Sequence, residues 1–255
     1  MPLGAYAELE FDLAAALRER LIEMFLEMSS APLNASTVSE TVPEAQGVYQ
    51  LFHGGDLVYI GKSDREDGLR TRLIRHSQKI QNRLGLDPTE VTFKAIRLFV
   101  FTVMDLETEL LRAGKPAWNG GGFGSNDPGR ERDTTRIKVT NFDALYPLDI
   151  HREIEISIAP GMPVTAEEAL VAIQKSVPWK IRRQNLGGNS RRPHPDLQTA
   201  VIELSSNKAS PWSMIAEIVG QLPAGWQATA LKSHTILYKE RRDYPDPLGV
   251  ALSPV

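Results

Sequence analysis

Near the start of the chain, Leu9, Leu13, Leu17, Leu21 and Phe25 recur every four positions. Side chains at that spacing share a helix face, so the pattern predicts an amphipathic helix over 7–28. Residues 29–45 lose the period, are rich in Ser, Pro and Thr, and read as a linker. Two β-rich runs follow, GVYQLF at 47–52 and LVYI at 57–60, divided by His53-Gly54-Gly55-Asp56, a hairpin signal. The spacing then predicts a helix over 69–84, a strand over 91–103 and a short helix over 106–113, capped by Asp105 and stopped by Gly114 and Pro116. Residues 119–134 form a polar, Gly-rich loop. Past residue 150 the order is strand (153–158), helix (165–175), strand (199–204), helix (211–221) and two strands (226–231, 234–239). There is no internal repeat. Such an order is that of an α+β protein: a small antiparallel or mixed sheet flanked by helices, with a further α+β region at the C-terminal side.

The 255 residues suffice for one large domain or two small ones, at roughly 100–200 residues per domain. With 42% hydrophobic and 24% charged residues the chain is neither disordered nor collagen-like. No window approaches about 18 uncharged apolar residues, so no membrane span is expected. The acidic N-terminus lacks the basic region and continuous apolar core of a signal peptide. Cysteine is absent, which excludes disulfides, thiolate zinc sites and a cysteine nucleophile, and agrees with a cytoplasmic location. The net charge is −3, so any nucleic-acid role must rest on local patches. One such patch is 180–192, where Lys180, Arg182, Arg183, Arg191 and Arg192 occur with no acid. It reads either as a solvated loop or as a phosphate-contacting one.

The hairpin and the helices after it carry the candidate chemistry. With a turn of Gly54-Gly55 alone, Tyr49 would face Ile60, and the two hairpin tyrosines would point to opposite sides. A three-residue loop, His53-Gly54-Gly55, pairs Tyr49 with Tyr59 on one face and is the expected arrangement. Gly61 ends the second run and permits close approach of a backbone or ligand. In the next helix Leu69, Leu73, Ile80 and Leu84 form the apolar stripe, and His76 lies within it, four residues after Arg72. A histidine there is ordinarily a core residue, whereas a half-buried guanidinium requires an anionic partner. Glu107 falls on the stripe of Met104, Leu110 and Leu111, where a carboxylate must be ion-paired or bind a metal. Asn119 follows just before the Gly-rich loop.

GVY at 47–49, YIG at 59–61, an Arg on the following helix, a Glu on a later one and an Asn beyond it together resemble the GIY-YIG nuclease domain. The Arg72/His76 pair, PAWN followed by GFGSNDPGRERD, and NFDALYP make the chain most similar to type II restriction endonucleases of that class, in the subgroup that cuts CCGCGG. The resemblance covers about residues 40–150. Departures are GVY in place of GIY, and Asn126 within the Gly-rich string. The implied organisation is an N-terminal helix and linker (1–45), a GIY-YIG nuclease domain (46–150) and a C-terminal α+β region with no assigned role (151–255).

The resemblance implies a magnesium-dependent site-specific deoxyribonuclease, with manganese as a possible substitute, acting on double-stranded DNA at a short GC-rich palindrome. It makes Tyr49 the base or proton relay, helped by Arg72, Lys62 and His76. Tyr59 would hydrogen-bond the phosphate or the water, Arg72 would hold the scissile phosphate, and Asn119 would orient substrate or the site. His76 would position or deprotonate Tyr49, and Glu107 would be the single protein ligand of the metal. Lys62, Arg70, Asn126, Asp127, Arg130, Arg132, Arg182 and Arg183 are the candidate DNA contacts, arginine being suited to guanine. A palindrome cut symmetrically implies a homodimer, and a restriction role implies a methyltransferase in the host that is not a physical partner. The remaining alternatives are a GIY-YIG nuclease of repair or mobile-element type and a non-catalytic DNA-binding module. The second is disfavoured because all five residues of the set are present.

Overall fold

A computed structural model describes residues 12–64, 66–99, 106–111, 114–124, 129–187 and 190–255. Asp105, Asn126 and Asp127 lie outside them. The chain is mixed α+β and divides into two compact units. The first takes the residues up to Ser77 together with Pro88–Gly120; the second takes Gln78–Asp87 and Gly121–Val255. Among the described residues, no helix is long and apolar enough to cross a membrane.

The first unit opens with helix α1 (Leu13–Glu27), which starts where the Asp12 carboxylate accepts from the Ala15 N–H at 3.0 Å. Strand β1 (Ala31–Pro32) and helix α2 (Ala35–Thr41) occupy the stretch expected to be a linker. Asn34 caps α2 by accepting from Thr37 N–H at 2.8 Å, and a two-residue strand is too short for a period to register. Strands β2 (Gly47–His53) and β3 (Asp56–Ser63) form the hairpin, helix α3 (Leu69–Lys79) follows, and β4 (Val91–Arg97) and α4 (Leu106–Leu111) complete the set. Helix α3 is shorter than expected; the chain turns after it through Asn82 and Gly85, both at positive φ.

The sheet order is β1-β4-β2-β3, antiparallel throughout. Val48, Ile60 and Ile96 on one face pack with Leu21 and Phe25 of α1 and Leu110 of α4. Tyr49 and Tyr59 lie on the other face and meet His76 of α3. Leu69 and Leu73 bury α3 completely along one side, each contributing about 1.5–3 kcal/mol.

In the second unit, short helices α5 (Glu131–Thr134) and α6 (Phe142–Leu145) precede two ribbons. The ribbons pair β5 (Ile154–Glu155) and β6 (Val164–Thr165) with strands nearer the C-terminus. Helix α7 (Ala166–Ser176) begins in a capping box between Thr165 and Glu168. Strand β7 (Ile181–Arg183) and helix α8 (Pro195–Thr199) follow. Next come β8 (Val201–Ile202), partner of β6, and β9 (Lys208–Ala209), partner of β5. Helix α9 (Pro211–Gln221) has Ser210 as cap and Pro211 in its first turn. It leads to β10 (Gln227–Ala230), β11 (Thr235–Tyr238) and β12 (Gly249–Leu252). The sheet runs β12-β10-β11-β7, antiparallel except that β7 lies parallel to β11. Leu170, Ile173, Ile215, Ile218, Trp226 and Leu237 fill its core.

Among the described residues of this unit, two carboxylates are fully buried. Asp143 takes the Arg83 guanidinium at 2.9 Å on one oxygen and Arg132 on the other. Asp133 takes Arg182, His234 Nε2 at 2.7 Å and the Tyr238 hydroxyl at 2.8 Å. Buried acids are tolerated only with such partners.

Candidate active site

The site grows out of the hairpin. Its turn is the two residues Gly54 and Gly55, with φ of 59° and 93°, and His53 pairs with Asp56. That is the turn that matches strand twist and demands two positive φ values. The expected three-residue loop is therefore absent, yet the tyrosines share a face. A bulge after Leu51 shifts the register, so Leu51 pairs with Tyr59 and Tyr49 with Gly61. One extra residue restores the parity that the short turn would have broken. Tyr49 and Tyr59 thus stand diagonal to each other, ring centroids 6.1 Å apart.

Two glycines of the motif are sterically required. A Cβ on Gly61 would lie 2.4 Å from both Cζ and Oη of Tyr49 and 2.7 Å from Cε1 of Tyr59. The room at Gly61 is taken by the Tyr49 ring itself, not by a second backbone. A Cβ on Gly47 would lie 2.2 Å from the Ile96 carbonyl oxygen, so this residue lets β2 and β4 close beneath α3.

Tyr49 is fully buried and its hydroxyl oxygen stands 2.7 Å from His76 Nε2. The i, i+4 spacing on α3 brings Arg72 beside His76, as the sequence suggested. The Arg72 guanidinium acts on the Tyr49 hydroxyl as a neighbouring positive charge, while its Nε is buried with no hydrogen-bond partner. Burial pushes the Tyr49 phenol well above its ordinary range; the neighbouring Tyr59 adds to this, and Arg72 only partly offsets it. Tyr59 is raised too, first by burial and then by the Glu107 carboxylate. Glu107, half-buried on α4, therefore acts electrostatically on both phenols. Tyr49, Tyr59, Arg72, His76 and Glu107 converge within the first unit.

Asn119 acts on the backbone. Its Nδ2 donates to the Ile60 carbonyl at 2.7 Å and its Oδ1 accepts from the Ile60 N–H at 2.8 Å. With Trp118 N–H donating to the Val58 carbonyl at 2.8 Å, it closes the free edge of β3 between Tyr59 and Gly61. Lys62 follows Gly61 on β3, so strand alternation turns it away from the tyrosine face, contrary to its expected part in activating Tyr49. Arg70 Nε donates to the Val42 carbonyl at 2.7 Å and ties α3 to the end of α2.

The other arginines expected to meet DNA belong to the second unit and already hold carboxylates. Arg132 pairs with Asp143, Arg182 with Asp133 and Arg183 with Glu167 at 3.1 Å. Arg182 and Arg183 sit on strand β7 rather than in a loop. Arg130 is more exposed and pairs with Glu240 at 2.8 Å while covering the Tyr238 ring. The buried acids that organise these arginines had no signal in the sequence beyond ordinary helix-end chemistry.

Among the described residues, no group of three or more His, Cys, Asp or Glu side chains gathers as a metal cage. Glu107, whose charge acts on both tyrosines, offers one carboxylate, a donor set that suits a magnesium ion completed by water and phosphate oxygens. No protein-family model and no curated protein sequence matches the chain.

Proposed function

We propose that the chain is a metal-dependent endonuclease that hydrolyses phosphodiester bonds of double-stranded DNA at a short, GC-rich palindrome, acting as a homodimer in the cytoplasm. The observation that carries this reading is the Tyr49–His76 hydrogen bond at 2.7 Å, set beside an arginine whose buried Nε has no partner. A buried donor without an acceptor is costly, and a bound phosphate oxygen supplies the acceptor.

The raised Tyr49 phenol keeps its proton at neutral pH, so it works as a relay. A water yields its proton to the Tyr49 oxygen as the Tyr49 proton passes to His76 Nε2. The resulting hydroxide attacks phosphorus, the bond to the 3′-oxygen breaks, and that oxygen leaves to be protonated from solvent. Arg72 holds the phosphoryl oxygens through charge-assisted hydrogen bonds, and Tyr59 orients the water or the phosphate. Asn119 keeps the β3 edge, and hence Tyr59, in place. Magnesium, or manganese in its stead, would be held by Glu107 and would neutralise charge on the phosphoryl group and the leaving oxygen.

Digestion of a sequenced plasmid with magnesium, followed by mapping of the ends, tests the proposal. A single short palindrome is the expected result; ragged or structure-dependent ends would overturn the restriction reading. Glu107→Ala is expected to lose about 10²–10³-fold in cleavage, several kcal/mol of charge stabilisation, with DNA binding retained. Tyr49→Phe removes the relay and is expected to cost about 10²–10⁴-fold. Wild-type cleavage by either variant would remove that residue from its role.

A further inference from the structure

A second feature lies wholly within the C-terminal unit and is not used by the nuclease chemistry. A cavity of about 180 Å³ there is walled by five cationic side chains: Lys79, Arg83, Arg132, Lys180 and Arg182. Asp143 is the only carboxylate among the described residues lining it, and Asp133 stands behind Arg182. Asp143 is shared between Arg83 and Arg132, and Asp133 between Arg182 and His234. Asp143 and Asp133 are thus shared among three arginines and a histidine. The Lys79 ammonium, held by the carbonyls of Gly122 at 3.1 Å and Phe123 at 2.5 Å, is not paired with an acid of its own. A cleft walled by that charge focuses a positive potential into its open volume.

A second, independent observation points the same way. Trp179 lines the cavity, is 6% exposed, and its Nε1–H is buried without a hydrogen-bond partner. An indole nitrogen is a donor only, so what it lacks is an acceptor. The cavity is smaller than the roughly 300–1,000 Å³ of pockets for drug-sized ligands, which favours a compact group. Several guanidinium forks and two ammonium groups suit a group with more than one negative charge and several oxygens.

We propose that this cavity binds a phosphoryl group, with the Trp179 indole N–H and the surrounding cations as its donors. The proposal goes beyond the nuclease reading and does not require it. The phosphoryl group has two possible sources, a nucleic-acid backbone or a free phosphorylated compound.

The test uses the full chain without metal and follows thermal unfolding against inorganic phosphate at pH 7, with sodium chloride at matched ionic strength as control. The expected result is a saturable rise in Tm with phosphate and none with chloride. Arginine substitutions would disturb the buried ion pairs, so Trp179→Phe, which keeps the ring, and Lys180→Gln, at an exposed position, serve as variants. Each is expected to weaken apparent phosphate affinity tenfold or more while leaving Tm in chloride within a few degrees of wild type. No saturable response in wild type, or unaltered affinity in both variants, would overturn the proposal. Repeating the titration on Tyr49→Phe protein with a short DNA duplex separates the sources. Loss of the phosphate response assigns the cavity to a backbone phosphate, and its persistence assigns it to a free compound; each outcome upholds phosphoryl binding. Because no cleavage is read, failure here leaves the nuclease proposal standing, and failure of cleavage leaves this one standing.

Discussion

Replacing Gly61 by alanine puts the geometry of the site to a direct test. The new methyl group would sit 2.4 Å from Cζ and Oη of Tyr49, where ordinary contact begins at 3.4 Å. Tyr49 is fully buried and Tyr59 nearly so, so neither ring can swing into solvent. Relief requires Tyr49 to move by about an ångström, which carries its hydroxyl out of the 2.7 Å contact with His76. Overpacking costs about 1–3 kcal/mol. A buried hydroxyl left without its partner costs about 1–3 kcal/mol more. Gly61→Ala is therefore expected to lose about 2–6 kcal/mol of stability in urea denaturation. Under the proposed nuclease function it is also expected to cleave DNA about 10²-fold more slowly, since a 1 Å misplacement of catalytic groups has that order of effect. Gly120→Ala is the control: a Cβ there meets nothing within 4 Å, and stability and cleavage should stay near wild type. A Gly61→Ala protein within 0.5 kcal/mol of wild type (about the scatter of harmless surface changes) and fully active would refute the packing described for Tyr49.

Asn119→Ala removes both hydrogen bonds to Ile60 and bares the β3 edge; a loss of about 1–3 kcal/mol is expected, with faster amide exchange at Ile60 as the local readout. Asp143→Asn leaves Arg83 and Arg132 facing a neutral amide and should cost about 3–5 kcal/mol in urea denaturation; a change below 1 kcal/mol would show that the pair is not buried in solution. Burial lowers Lys79 from its ordinary 10.5 to about 8. Between those values the unfolded chain holds a proton that the folded chain has released, so stability should rise with pH across that window and be flat below it. Denaturation midpoints from pH 7 to 10.5 should show a gain of up to about 3 kcal/mol that Lys79→Met lacks; parallel curves for the two proteins would contradict it.

Elements with local chemistry were readable from the residues alone. Helix α9 runs from Pro211 to Gln221, the range its period required. Arg72 and His76 meet because i, i+4 spacing is a property of any helix. The tyrosines share a face as expected, but through a bulge that no residue type announces, since Leu51, Phe52 and Val58 suit a regular ladder equally well. Strand β1 and helix α2 were missed because β1 owes its existence to pairing with Phe93 and Thr92, some 60 positions on. Strand β7 read as a basic loop for the same reason: Arg182 and Arg183 are held by carboxylates distant in sequence, Asp133 and Glu167. Long-range ion pairs leave no periodic trace, and a run of cations looks solvated until its acids are found.

The bulge at Leu51 also limits how this hairpin can change length in evolution. Because the surplus residue and the tight glycine turn compensate each other, deleting or inserting one residue between Tyr49 and Tyr59 would send one phenol to the wrong side of the sheet. Two such events, or none, keep both phenols together. Length variation among descendants of this chain should therefore come in even steps here, whereas the same stretch tolerates exchange of side chains at its exposed tip.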